Sequence, residues 1–421
     1  MTRQTDAMSR SRPGGRPSRD AIRVAHVATV DMTHRFLLLG QLRRLREEGF
    51  EVTSISAPGP YASDLEAEGV RFVPWHHATR AWDPVEDVRA LLELTEIFRR
   101  ERFHVVHTHT PKAGLMGRVA ARLARVPIVI NTVHGYYATS EHPLSRRLPV
   151  LWLEWLAARF SDLELFQSAE DLAWAKRARV VRPGQGIPLG NGTDLGRFDP
   201  SAVSSRRLSE LRRELAIPDG ALVVGTVGRM VAEKGYREFF QVARQIRRSR
   251  PRVYFVAVGE SDTEKGDAIT EEEITAAADQ VIFTGRRTDV VELLALFDIF
   301  VLASWREGLP RSAVEAAAMG TPLVLTDIRG CREVARDGIE GLLIPPRDPA
   351  ALAEAVGRLL GDPDLRLRMG TRARERAVVD FDERRVADTV VESYRGLLRS
   401  HGLEMTERGS PARRGTVERT P

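Results

Sequence analysis

At 421 residues, 43% hydrophobic and 29% charged, the chain is long enough for two ordinary domains, each with its own core. No stretch approaches the roughly 20 apolar residues that span a bilayer, and the single Cys331 excludes an internal disulfide and a cysteine metal site. That cysteine usage fits a cytoplasmic protein, and a net charge of only +5 without a nucleic-acid-binding motif points away from DNA or RNA.

Residues 1–20 are rich in Arg, Ser and Gly with no apolar core, which predicts a disordered tail and not a secretory signal. Residues 22–30, Ile-Arg-Val-Ala-His-Val-Ala-Thr-Val, are mainly apolar and predict the first strand of a parallel sheet. A turn at 31–34 leads to a helix over about 35–48, closed by Gly49. No Gly-x-Gly-x-x-Gly follows the strand, which argues against a dinucleotide site and the dehydrogenases built on one. Strands at 51–56, 70–74 and 103–107 and a helix at about 85–101 continue the alternation of a doubly wound α/β sheet. Residues 35–46 form a basic amphipathic pattern, and 241–252 carry five more arginines. Such runs are solvated helix faces or, with equal weight for the first, surfaces drawn to anionic lipid at about 1 kcal/mol per basic residue.

The segment His107-Thr-His-Thr-Pro-Lys-Ala-Gly ends a strand and begins a helix. Histidines two apart can serve a metal, but neither a carboxylate nor a cysteine accompanies His107 and His109 in sequence, so none is expected. Lys112 with the amides of a helix start suits a phosphate, and a solvent-facing lysine fits the same pattern. Next comes His134-Gly135-Tyr136-Tyr137 at the carboxyl end of a strand, where open sheets bind ligands and a glycine lets a partner approach. Residues 148–160 carry Trp152 and Trp155 at helical spacing. Burial in a core or interface is the expectation for such a stripe, with membrane contact as the alternative.

In the second half, a strand through Val227 ends at Gly228, and Arg229 and Lys234 follow around a helix start near Gly235. Two cations with free amides at one strand end suit a leaving diphosphate. Thr284-Gly285-Arg286 closes a later strand. A strand at 299–302 then enters a loop with Glu307, Gly308 and Leu309. Pro310 starts an alanine-rich helix that contains Glu315, and Gly320 ends it. A carboxylate within such a helix can reach ribose hydroxyls, while Glu307 lies nearer a reacting centre; a capping acid and a solvated glutamate fit the spacing too. Asp362-Pro-Asp364 and Asp380-Phe-Asp382 stand before helix starts and read as caps, so no metal is implied. The polar residues 401–421 predict a disordered tail.

Glu307-Gly-Leu-Pro…Glu315-Ala-x-Ala-x-Gly-x-Pro-Leu-Val, followed by Gly330-Cys-Arg-Glu-Val, resembles the Glu-x7-Glu signature of the retaining, nucleotide-sugar-dependent glycosyltransferases of family 4. The likeness runs from residue 22 to about 398 and includes Gly228-x-x-x-x-x-Lys234-Gly and Asn191-Gly-Thr-Asp-Leu-Gly-Arg-Phe. It implies the GT-B architecture: two facing Rossmann-like parallel-sheet domains with a cleft between them. The front domain (21–198) would take the acceptor and the back domain (199–380) the nucleotide sugar, with a last helix at 382–399 crossing back onto the first.

By the same resemblance, Arg229, Lys234 and the amides of Gly308 and Leu309 hold the donor diphosphate, and Glu315 the ribose. Thr284, Gly285 and Arg286 lie at the base. Glu307 orients the donor sugar opposite His134, and Lys112, Tyr136 and Tyr137 stand on the acceptor side. Retention in that family is attributed to front-face attack assisted by the leaving phosphate, with no cofactor. The His-Thr-x-Lys-Ala-Gly segment is similar to bacterial members that extend polyprenyl-diphosphate-linked sugars. The implied partners are therefore a nucleotide-diphosphate sugar and a saccharide acceptor at the inner face of the plasma membrane, with peripheral membrane contact. A soluble acceptor, an epimerase or hydrolase on the same fold, and a silent sugar-nucleotide-binding subunit are the alternatives.

Overall fold

The structure is a computed structural model that describes residues 21–136, 144–263 and 265–403, the Arg146 side chain excepted. Two parallel sheets organise it. The first contains β1 (Arg23–Val30), β2 (Glu51–Ala57), β3 (Arg71–Pro74), β4 (Val105–Thr108), β5 (Ile128–Val133), β6 (Leu163–Phe166) and β7 (Gly186–Pro188), in the order β3-β2-β1-β4-β5-β6-β7. The second contains β8 (Leu222–Val227), β9 (Val253–Val258), β10 (Val281–Phe283), β11 (Ile299–Leu302), β12 (Leu323–Thr326) and β13 (Gly341–Ile344), in the order β10-β9-β8-β11-β12-β13. Strand order therefore reverses between β1 and β4 and again between β8 and β11, and those reversals open a crevice at the carboxyl ends of the strands.

The central strands β4, β5, β11 and β12 are buried along their whole length. Helices cover both faces, so no polar alternation survives in them. The helix starts are set by short side chains: Asp83, Asp348, Asp362 and Asp382 each accept from amides of the first turn. A cap of this kind is worth about 1 kcal/mol. The two Asp-x-Asp triplets thus supply helix caps through Asp362 and Asp382.

The helix Glu383–Ser400 buries Ala387, Val390, Val391, Tyr394 and Leu398, a stripe at helical spacing. The last four join Val24, Leu42, Phe50 and Val105 in a core of the first domain. Arg44 donates to Asp388 at 2.8 Å, tying that helix to Leu39–Glu47. The chain crosses between domains twice, and the crossings pair: the Thr193 amide donates to the Phe381 carbonyl at 2.9 Å and the Glu383 amide to the Thr193 carbonyl at 3.1 Å.

Three local expectations give way. Residues 31–34 are helical and not a turn: Asp31–Thr33 continues into the π-helical stretch His34–Leu38. Asp31 anchors it by accepting from the Tyr61 amide at 2.7 Å, while His34 turns inward. The arginines of the basic first helix are not a free field, because Arg35 pairs with Asp64, Arg43 with Glu68 and Arg44 with Glu48 and Asp388. Finally, the tryptophan stripe is not core. In the helix Leu144–Ala157, Trp152 is 59% exposed and Trp155 40%.

Candidate active site

On the second domain the site grows from two strand ends. After β8 the chain makes a single tight turn, Ala232–Lys234, and Gly235 at φ +77° starts the helix Tyr236–Ser249. A Cβ on Gly235 would lie 2.1 Å from the Ala303 carbonyl oxygen at the end of β11, so only glycine lets the two strand ends meet. The turn points Lys234 at Glu307: Nζ to Oε1 is 2.5 Å. Ser304 Oγ donates to the same oxygen at 2.7 Å. Arg229 pairs with Asp262 at 2.6 Å. Both predicted cations are thus neutralised by protein carboxylates.

The helix Arg311–Ala318 follows Pro310, and no side chain caps it. Its first-turn amides retain donor capacity toward the loop carrying Gly308 and Leu309. Glu315 projects from this helix and accepts from Arg311 Nε at 2.9 Å. Burial pushes its carboxyl above the ordinary range, with Arg311 and Arg197 opposing.

The first domain meets this loop at backbone level. A Cβ on Gly308 would fall 1.8 Å from the His134 carbonyl oxygen, and one on Gly135 2.7 Å from the Gly308 Cα. The His134-Gly135 turn after β5 therefore faces Glu307-Gly308 across the crevice. Around it the domains are tied by Arg311 Nη1 donating to the Phe36 carbonyl (2.6 Å), Asn191 to the Leu309 carbonyl (3.2 Å) and Arg332 to Glu170 (2.9 Å). Arg329 pairs with Asp171. Glu333 caps the first domain's helix Ala169–Arg177 from the other side, accepting from the Ala169 and Glu170 amides at 3.0 and 3.2 Å.

Arg229, Lys234, Glu307, Gly308, Leu309, Glu315 and His134 thus lie around one crevice. Other expectations fare differently. Lys112 is buried, with its ammonium 2.5 Å from Asp87 and donating to Thr79 Oγ1 and the Ala81 carbonyl. It fastens a loop and offers no free cation to an acceptor. Tyr136 is also buried, its ring between Phe166 and Trp174 and its amide donating to Asp171, so it cannot stack on a sugar. Tyr137 lies outside the described residues. Thr284 directs its amide to the Ala257 carbonyl at 3.1 Å, and Gly285 accepts from the Gly259 amide at 3.0 Å. Arg286 crosses the crevice and lies 5.0 Å from the ring centres of both Phe36 and Tyr61.

Sequence reading missed Ser304 and Asp262, which carry no local signature, and gave Asn191 a place in a motif but no contact. It also missed His26. The β1–β4 register sets His26 beside His107, and His109 lies two residues on. These three bring ring nitrogens within 4.8 Å of one another. All three are fully buried, and burial holds His107 down at about 3 and His134 at about 4. At neutral pH these imidazoles are uncharged.

Two facing parallel-sheet domains, with cations, a helix start and two acids at their shared crevice, define a GT-B sugar-nucleotide transferase architecture. Comparison with known proteins carries this further. Residues 37–192 match the Glycosyl transferase 4-like domain and residues 209–376 the Glycosyl transferases group 1 family; the chain belongs to these glycosyltransferases. It is 28% identical over 379 residues, 89% of this chain and 96% of the relative, to the UDP-Gal:alpha-D-GlcNAc-diphosphoundecaprenol alpha-1,3-galactosyltransferase of Escherichia coli. It is 25% identical over 363 residues, 85% of this chain and 94% of the relative, to the N,N'-diacetylbacillosaminyl-diphospho-undecaprenol alpha-1,3-N-acetylgalactosaminyltransferase of Campylobacter jejuni. The crystal structure of Anabaena Alr3699/HepE in complex with UDP-glucose superposes with a TM-score of 0.75 at 21% identity, covering 89% of this chain and all of that one.

Proposed function

We propose that the chain is a retaining family 4 transferase that moves a hexosyl or N-acetylhexosaminyl group from a nucleotide-diphosphate sugar to a lipid-linked saccharide. The observation that carries this is the Lys234–Glu307 pair held in backbone contact with His134-Gly135 across the crevice. Lys234 and Arg229 exchange their carboxylate partners for the donor diphosphate, joined by the amides of Gly308, Leu309 and the uncapped helix. Glu315 accepts from the ribose hydroxyls. Glu307, released by Lys234, orients the sugar and offsets the positive charge that develops at its anomeric carbon. The bond from that carbon to the β-phosphate oxygen breaks as the acceptor oxygen bonds on the same face. The acceptor proton passes to the departing phosphate, and a nucleoside diphosphate leaves.

The acceptor reading rests on the relatives that act on diphospho-undecaprenol saccharides. It is supported by an exposed apolar face, Leu148, Trp152, Leu153 and Trp155, with the Arg159 guanidinium 4.5 Å from the Trp155 ring centre. Among the described residues no helix is long and apolar enough to cross a membrane. This face would lie on the inner surface of the plasma membrane, with aromatic rings at headgroup level.

The test is transfer to a polyprenyl-diphosphate disaccharide and to the same sugar without lipid, across UDP- and GDP-sugar donors. Product with the donor's anomeric configuration is expected, and an inverted product overturns the mechanism. Lys234→Ala and Glu307→Ala should each cut kcat/KM by about 100-fold or more with circular dichroism unchanged. Turnover at the parent rate rejects the site.

A further inference from the structure

The buried histidines do not end as a cluster; they form a line of hydrogen bonds that enters the crevice. His107 Nε2 lies 2.7 Å from Thr132 Oγ1, and its Nδ1 lies 2.8 Å from the Tyr394 hydroxyl. That hydroxyl lies 3.1 Å from His26 Nε2. His26 Nδ1 reaches His109 Nε2 at 3.0 Å, and His109 Nδ1 reaches His134 Nε2 at 3.2 Å. Tyr394 comes from the helix that crosses back from the second domain, so the line joins that helix to the crevice.

A neutral imidazole has one N–H and one bare nitrogen, so each ring must donate on one side and accept on the other. Direction at one end then dictates every proton. Thr132 is buried, and among the described residues its hydroxyl meets no partner but His107. A buried hydroxyl proton left without an acceptor forfeits its hydration with nothing in return, so Thr132 donates to His107 Nε2. The remaining protons follow in order: His107 Nδ1–H to Tyr394, Tyr394 O–H to His26 Nε2, His26 Nδ1–H to His109 Nε2, and His109 Nδ1–H to His134 Nε2. His134 is left with its proton on Nδ1 and its Nε2 occupied; the Gln167 side chain also bonds it.

The rival occupant is a metal, since His26, His107 and His109 have ligand-like spacing. Both nitrogens of each ring are already hydrogen-bonded. No carboxylate belongs to the cluster to offset a buried dication, so the hydrogen-bonded line is the better use of these atoms.

We infer that Tyr394, His26 and His109 are positioning residues for transfer: they lock the His134 imidazole in the neutral Nδ1–H form with Nε2 filled, so that His134 meets the sugar through a fixed ring and never as a general base. This rests on the reading of His134 as the residue facing the donor. Tyr394→Phe removes one hydroxyl and leaves the ring in the core, so the fold should stand. The expected result is a kcat lower by at least about 10-fold with donor KM unchanged. Imidazole 15N spectra of the full chain, with His134 assigned through His134→Gln, should give one Nδ1–H tautomer for His134 in the parent and mixed tautomers in Tyr394→Phe. A parent spectrum showing His134 protonated on Nε2 or doubly protonated near pH 7.5 overturns the inference. So does an unchanged spectrum in Tyr394→Phe, or stoichiometric divalent metal in the purified chain that His109→Gln abolishes. The spectra need no substrate, so they decide the question even if the transfer reaction itself fails.

Discussion

Four imidazoles, those of His26, His34, His107 and His109, are buried, and His134 is half-buried at the crevice; loss of hydration holds all five below their ordinary value, His34 and His134 at about 4 and His107 at about 3. The groups facing them are chiefly one another, with Tyr394 and Gln167, so no carboxylate rescues a charged form. In the unfolded chain each would titrate near 6.5. A base depressed on folding stabilises fully above that value and loses its contribution as pH falls toward the folded one. Below about pH 6.5 stability therefore falls with pH, because the unfolded chain takes up protons that the folded rings exclude. Urea midpoints should be flat from pH 8 to 7 and drop steeply from 6.5 to 5. A midpoint constant down to pH 5 would mean the rings are not held neutral.

At the scale of elements, closure depends on bare backbone. Gly135, Gly308 and Gly330 stack so closely that a Cβ on Gly330 would meet the Gly308 carbonyl oxygen at 2.0 Å, and one on Gly308 the His134 oxygen at 1.8 Å. Gly308→Ala cannot be absorbed by a rotamer change, because backbone stands on both sides. The domains should separate, and small-angle scattering should report a larger radius of gyration than the parent. An identical radius would show that the two turns are not what sets the closed state. Sequence reading reached the strands and helices because they follow local rules: apolar runs made buried strands, and aspartates before proline or glutamate made helix starts. It did not reach Lys112, Tyr136 or the Trp152–Trp155 face. Period tells which side of a helix is apolar, whereas burial depends on what the fold lays over that side. His26, His109, His134 and Tyr394 meet only through sheet order and a returning helix, so nothing in their spacing announced the line they form.

At the scale of the molecule, the first domain shows two kinds of surface. Its basic helix is discharged by Asp64, Glu68, Glu48 and Asp388, while Leu148, Trp152 and Trp155 stand uncovered. Adsorption to lipid should then depend more on these rings than on the arginines. Flotation with anionic vesicles should fall sharply for Trp152→Ser/Trp155→Ser and only modestly when salt is raised from 0.05 to 0.5 M. Binding that survives the double substitution but vanishes in salt would assign adsorption to charge instead.

The crossing helix has a further consequence, in the timing of synthesis. Val390, Val391, Tyr394 and Leu398 complete a core whose other members lie between Ile22 and Leu189. The whole second domain is translated between the two parts. While a ribosome makes that domain, the first must wait with an apolar groove open and with His26 and His107 lacking the hydroxyl that joins them. Such long-range contacts slow folding and expose chains to aggregation. The front half is therefore the part of this protein that most needs a chaperone during its birth, although it is made first.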